Sequence, residues 1–179
     1  MFEATLRLIG ALADRQPIEL LPQRLDVLFA ALADCPGDRA HQAEDEIWAI
    51  WMSYPEREAR EQMEQAIHTI ARRRLKEAQP LLDDLVRGWP LWPEAWNKRA
   101  TLAFLRGDDK ASVRDIGRTL ELAPRHFGAL AGLAQICLRQ GQTGAALVVL
   151  DAALAIHPHL VQAKLLRDRL LPLHSSGRH

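Results

Sequence analysis

His157-Pro158-His159 sets two imidazoles two residues apart, and ring nitrogens are the commonest metal ligands. The proline between them marks a turn, and no carboxylate or thiol lies alongside, so the pair reads as surface histidines. Arg72-Arg73-Arg74 has the donors to grip a phosphate. Glu77, Asp83 and Asp84 follow at once, and such a mixed field belongs to a solvated turn between helices. Asp83-Asp84 and Asp108-Asp109 invite acid–base chemistry. The helix macrodipole favours acids at helix starts, which accounts for Asp108-Asp109 without any reaction, though not for Asp83-Asp84. The sequence has no Gly-x-Ser-x-Gly, phosphate loop or His-Glu-x-x-His. Cys35 and Cys137 lack zinc or disulfide spacing and read as small, reduced apolar residues on helices. The expectation is no catalytic residue, no metal and no cofactor.

Five tryptophans offer recognition rather than reaction. Trp48 and Trp51 share a helix face, while Trp89, Trp92 and Trp96 surround Pro90 and Pro93. Exposed tryptophan anchors a binding partner; buried tryptophan fills a core. Packing between an N-terminal hairpin and the first two repeat units is the favoured reading, because Trp96 falls in a slot that the repeat buries.

The 179 residues carry 23 basic and 23 acidic side chains, so no overall field favours nucleic acid or an acidic membrane. The charge is unevenly spread: residues 1–54 hold four Arg and nine acids, and residues 89–179 hold twelve bases and seven acids. Opposite signs at the two ends suit docking of one on the other or head-to-tail pairing, although charges on solvated helix faces are the simpler account. No apolar run approaches the ~18–20 residues that span a bilayer. Met1-Phe2-Glu3 lacks the basic start of a signal peptide, and Arg7 interrupts the apolar stretch behind it, so a cytoplasmic location is expected.

The elements that must hold these residues repeat. Pro90, Pro124 and Pro158 are 34 residues apart, and so are Ala66, Ala100 and Ala134. Ala78, Ser112 and Ala146 keep the same step, as do Leu82, Ile116 and Leu150, and Gly107 is answered by Gly141. A period of 34 points to paired helices stacked into a curved array with one continuous core. Outside the turns, apolar residues recur every three or four positions. The units are 59–92, 93–126 and 127–160. Helices are expected at about 93–106 and 109–122, then 128–140 and 143–156. Pro93 suits a first helical turn, Gly107 lets a helix stop, and Asp108 or Asp109 caps the next.

Trp96, Ala100, Gly107, Ser112, Ile116, Thr119 and Pro124 resemble the tetratricopeptide repeat (TPR), and the run from Leu130 to Pro158 resembles it more closely. Residues 45–160 are similar to uncharacterised bacterial TPR proteins. The resemblance implies an all-α superhelix of αα-hairpins. Small residues at positions 8 and 20 let paired helices approach, and large ones at positions 4 and 24 fill the space between them. Unit two departs twice: Arg99 replaces the usual Leu, and Ala103 the usual aromatic. Unit one is degenerate, with Gln62, Gln65 and Thr69 in apolar slots, Arg73 in place of the turn glycine, and Pro80 inside its second helix.

The remaining segments flank the array. Residues 1–54 form a helical extension: a short helix over 2–14 through Phe2, Leu6, Ile9 and Leu12 or Ala13, then a non-consensus hairpin over 21–54 broken at Cys35-Pro36-Gly37. Residues 160–171 form a capping helix ended by Pro172, with 173–179 disordered.

In TPR proteins the first helix of each unit lines a concave face. Carried over, the resemblance implies Met63, Ile67 and Ile70, then Glu94, Asn97, Thr101 and Phe104, then Gln135, Leu138 and Arg139 as partner-binding residues. Arg60, Ala71, Leu105, Gly128 and Ala131 complete that face. It reads as an apolar floor with a polar strip of Asn97, Thr101 and Gln135. The carboxylate clamp of some TPR modules does not fit, because Met63 and Ile67 replace its polar members. The expected function is a non-catalytic scaffold or adaptor holding a protein's peptide or helix segment, with no nucleic acid or membrane partner. Three alternatives stand beside it: a groove filled by the chain's own N-terminal helix, a self-associating homodimer, and an enzyme taking a small substrate in the groove.

Overall fold

The computed structural model describes residues 2–12, 22–34 and 37–176. These contain ten helices and no strand. A short α1 (Phe2–Gly10) comes first, then a hairpin of α2 (Pro22–Asp34) and α3 (Asp38–Met52). Three further pairs follow: α4 (Arg57–Ala71) with α5 (Leu75–Gly88), α6 (Pro93–Leu105) with α7 (Asp109–Leu122), and α8 (Phe127–Arg139) with α9 (Thr143–Ile156). Helix α10 (Val161–Ser176) packs on α9. Successive pairs stack through α5 on α6 and α7 on α8. The fold is the all-α helical repeat that the 34-residue period implies.

Small residues let each pair close. Ala66 and Ala78 are buried in the first, Ala100 and Ser112 in the second, and Ala134 and Ala146 in the third. In the second pair the approach is close enough for Ser112 Oγ to donate to the Ala100 carbonyl at 2.8 Å, which satisfies a buried hydroxyl. Leu82, Ile116 and Leu150 are buried one turn further along.

The first helix of each pair stops in the same way. Gly107, at φ 81°, donates to the Phe104 carbonyl at 3.1 Å, and Asp108 N–H reaches back to Ala103 at 2.9 Å. Gly141, at φ 70°, does the same with Leu138 at 2.9 Å, and Gln142 with Cys137 at 2.8 Å. This double bond satisfies carbonyls the helix end would orphan. Arg73 makes the matching turn at φ 61°, bonding Ile70 at 2.8 Å while Arg74 bonds Thr69 at 3.1 Å. An L-residue pays for that left-handed backbone with about 1–2 kcal/mol. Asp108, not Asp109, caps α7, its Oδ1 accepting from Ala111 N–H at 3.0 Å. Pro93 opens α6 as expected. Pro80 sits inside α5, which nonetheless runs unbroken to Gly88.

The hairpin α2–α3 takes a place the repeat pattern does not specify. It folds back along the edge formed by the loops between pairs. Near its C-terminal end, the Trp51 carbonyl accepts from Trp92 Nε1 at 2.8 Å, beside the loop between α5 and α6. Trp51 and Trp48 then meet His126 and Phe127, at the loop between α7 and α8. Glu44 lies at the loop after α9, its Oε2 3.2 Å from His157 Nε2. Arg125 joins this edge to Asp26 of α2 at 2.8 Å, an ion pair between the basic and the acidic parts of the chain. Tryptophan packing is therefore observed: Trp51 meets Trp92 at the junction of units one and two, as expected, and Trp48 and Trp51 also reach the junction of units two and three.

Three further expectations change. His157 is 2 % exposed, not a surface histidine, because the hairpin covers it. Helix α10 continues past Pro172 to Ser176: the ring removes one ladder bond, and the turns beyond it still close. Helix α1 ends at Gly10; its Leu8 and Ile9, with Leu12 just beyond it, pack on the core around α9. The side chains of Phe2 and Leu6, and Ala13, Cys35 and Pro36, lie outside the described residues.

Candidate functional site

Helices α6 and α8 lie side by side on the concave face, and the residues at their closest approach are small. A depression of about 120 Å³ opens there, lined by Asn97, Ala100, Thr101 and Phe104 of α6, by Ser112 and Ile116 of α7, and by Gly128, Gly132 and Gln135 of α8. A second, of about 240 Å³, adjoins it between α8 and α10. Its walls include Ala131 and Gln135, Leu150 of α9, and Gln162, Leu165, Leu166 and Arg169 of α10. Gln135 stands on the wall that the two share. Its side chain is exposed and has no hydrogen-bond partner among the described residues.

The implied site residues separate into two groups. Asn97, Thr101, Phe104 and Gln135 come together in the first depression. Arg139 forms its rim: the guanidinium stacks 3.9 Å over Phe104, donates to the Phe104 carbonyl at 3.0 Å, and pairs with Asp109. Thr101 Oγ1 donates to the Asn97 carbonyl at 3.0 Å. Leu138 is half-buried against the core of unit three.

Met63 is 1 % exposed and lies inside the core of the first pair, with Ile67 and Ile70 half-buried around it. None of the three lines either depression, and Met63 is closed to a partner by its burial. In this degenerate first unit Gln62, in a usually apolar slot, donates instead to the Leu81 carbonyl at 2.8 Å. The two depressions are lined instead by units two and three and α10. Helix α10 carries no repeat signature, so its wall was not legible from the 34-residue period.

Glu94 is also corrected: it is 0 % exposed. Its Oε2 accepts from His126 Nε2 at 2.8 Å and Asn97 Nδ2 at 3.0 Å, and its Oε1 forms an ion pair with Lys98 Nζ at 2.7 Å. Burial alone would raise the pKa of Glu94, but the hydrogen bond and charge of His126, with those of Lys98, outweigh it and hold the carboxyl below its ordinary value. His126 Nδ1 accepts from Ala129 N–H at 3.1 Å, which leaves Nε2 to carry the proton toward Glu94. Glu94 thus steers Asn97 and His126 from beneath the groove and is not available to a partner.

The acidic and basic runs are held in pairs. Asp83 meets Arg99 at 3.2 Å, Asp84 meets Arg87 at 2.6 Å, and Arg74 of the exposed turn meets Glu77 at 3.6 Å. No cluster of three metal-ligating side chains is present among the described residues. No described helix is long and apolar enough to cross a membrane.

Helix α1 lines neither depression. Trp48 does touch the rim: a Cβ added at Gly128 would lie 2.6 Å from its Cη2, so the indole sits where any larger residue would be. The chain matches no family model. A TPR repeat-containing protein of Rhizobium etli is 35 % identical over 137 residues, which span 76 % of this chain and 67 % of that one. With three helix pairs in the 34-residue register, matched turns and a relative of that closeness, the chain belongs to the tetratricopeptide repeat family.

Proposed function

We propose that the concave face of α6, α8 and α10 holds an extended peptide segment of a partner protein, making this chain a non-catalytic interaction scaffold. The observation that carries it is the pair of adjoining depressions divided by Gln135. Side chains on one face of an extended peptide recur every second residue, and two apolar ones would enter the two depressions. The unpaired Gln135 amide between them offers both a donor and an acceptor to the intervening backbone.

The cluster of Glu94, His126 and Lys98 resembles acid–base machinery, but Glu94 and His126 are sealed from solvent. A substrate in the groove would not reach them, which favours the scaffold over an enzyme.

The test is affinity for a peptide selected on the immobilised protein, read by fluorescence polarisation. Replacing Asn97 and Phe104 together by Ala should weaken it at least about tenfold, the loss expected when an apolar anchor and a polar contact go together. Unchanged affinity in a double variant with a native circular dichroism spectrum sinks the proposal.

A further inference from the structure

Position 7 of a first helix is usually Leu and position 11 usually aromatic; unit three has Leu133 at the first and Cys137 at the second, both fully buried. Unit two has Arg99 and Ala103 there instead. The exchange leaves a cavity of about 410 Å³ among α5, α6 and α7, within the ~300–1,000 Å³ typical of small-molecule sites.

The wall carries both signs of charge: Asp83, Asp115 and Arg99 are spent on one another, and two further guanidiniums are not. Asp115 accepts Arg99 Nε and Nη2 at 2.7 and 2.8 Å, one on each oxygen. Asp83 Oδ1 accepts from Arg99 Nη1 at 3.2 Å and from Gln79 Nε2 at 3.0 Å, and Asp108 Oδ1 is taken by the α7 cap. Every carboxylate in the wall is thus already accepting N–H donors. The guanidiniums of Arg106 and Arg114 are not used up. Arg106 gives Gln79 Oε1 one bond, at 2.6 Å, and Arg114 gives none among the described residues. Both side chains are exposed at the mouth.

We propose that this cavity binds a small molecule through a carboxylate or phosphate group, gripped by Arg106 and Arg114 above a floor made by the Arg99–Asp115 pair. A guanidinium fork matches two oxygens of either anion, and five N–H donors per Arg leave ample capacity here. The site is separate from the concave face. Arg99, Ala103 and Arg106 run along α6 two residues out of step with Asn97, Thr101 and Phe104, which is about 200° around the helix. Ligand here would leave the groove open.

The experiment titrates the full chain with inorganic phosphate and, separately, with succinate at low ionic strength, following backbone amides by two-dimensional NMR. Binding should shift the amides of Arg106, Ala111 and Arg114 with saturation by about 10 mM, the range of a few charge-assisted bonds. Whichever anion saturates first names the ligand group. Arg114→Ala, at an exposed position, should weaken binding at least about tenfold, the worth of one such contact. Ala103→Phe restores the usual aromatic, fills the cavity and should abolish binding while both guanidiniums remain. Absence of saturable shifts with either anion overturns the proposal, and so does wild-type affinity in Arg114→Ala or in folded Ala103→Phe.

Discussion

His126 lies face to face on Trp51, with ring centroids 4.0 Å apart and planes 7° from parallel, and its Nε2 reaches Glu94 at 2.8 Å. One side chain thereby couples the N-terminal hairpin to the base of the concave face. Removing the indole should cost the hairpin its anchor. Trp51→Ala is expected to destabilise by about 3–5 kcal/mol. Native-state hydrogen exchange would show the loss concentrated in α2 and α3, with α6 to α9 still protected. Equal loss of protection throughout would mean that the hairpin and array unfold as one body.

The same edge should make stability depend on pH. Burial lowers the pKa of His157 below its ordinary 6.5, with Glu44 opposing and His159 and His41 adding to the shift. The native state then binds fewer protons than the unfolded chain, so stability is complete above the ordinary value and falls as the pH drops below 6.5 toward the native pKa. Glu94 is held below its ordinary 4.5 and adds a second loss as pH falls below that value. Thermal melting across pH 8 to 3 should be flat and then decline in two stages, and His157→Gln should remove the first.

Arg73 occupies the turn at φ 61° that Gly107 and Gly141 make in the other units. Arg73→Gly should therefore raise stability by about 1 kcal/mol, through release of left-handed strain less the entropy of the added glycine. For a chain of this length that is about 2–4 °C in melting temperature. The reverse change, Gly141→Arg, should lower it by a similar amount.

These cases also mark how far the sequence was legible. The spacing of Ala100, Ser112, Ala134 and Ala146 determines which helices pair, because only small residues allow that approach, and the positions of Gly107 and Gly141 determine where the first helices end. Such signals are local, so they could be read along the chain. The docking of Trp51 on His126 joins positions 75 residues apart and leaves no periodic trace, which is why the course of α3 was open. Placing Met63 and Glu94 on the groove followed from family positions alone. Burial of Glu94 depends on His126 at the far end of its own unit, 32 residues on, and Met63 lies in the core of the first pair. The departures at Arg99 and Ala103 were visible, but the cavity they leave needed the neighbouring helices to be seen.

Self-association has its own check. Light scattering of the purified chain should give a monomer mass if the concave face is reserved for another protein, since the depressions at Gln135 are then unfilled. A concentration-dependent dimer that selected peptides dissociate would make a second copy the occupant.

The most direct measurement maps a selected peptide onto the chain by amide chemical-shift changes. The account predicts that they cluster at Asn97, Thr101, Gln135 and Gln162, on the face shared by α6, α8 and α10. Shifts confined to the loop edge beside Trp48, or to the cavity at Arg99, would contradict it.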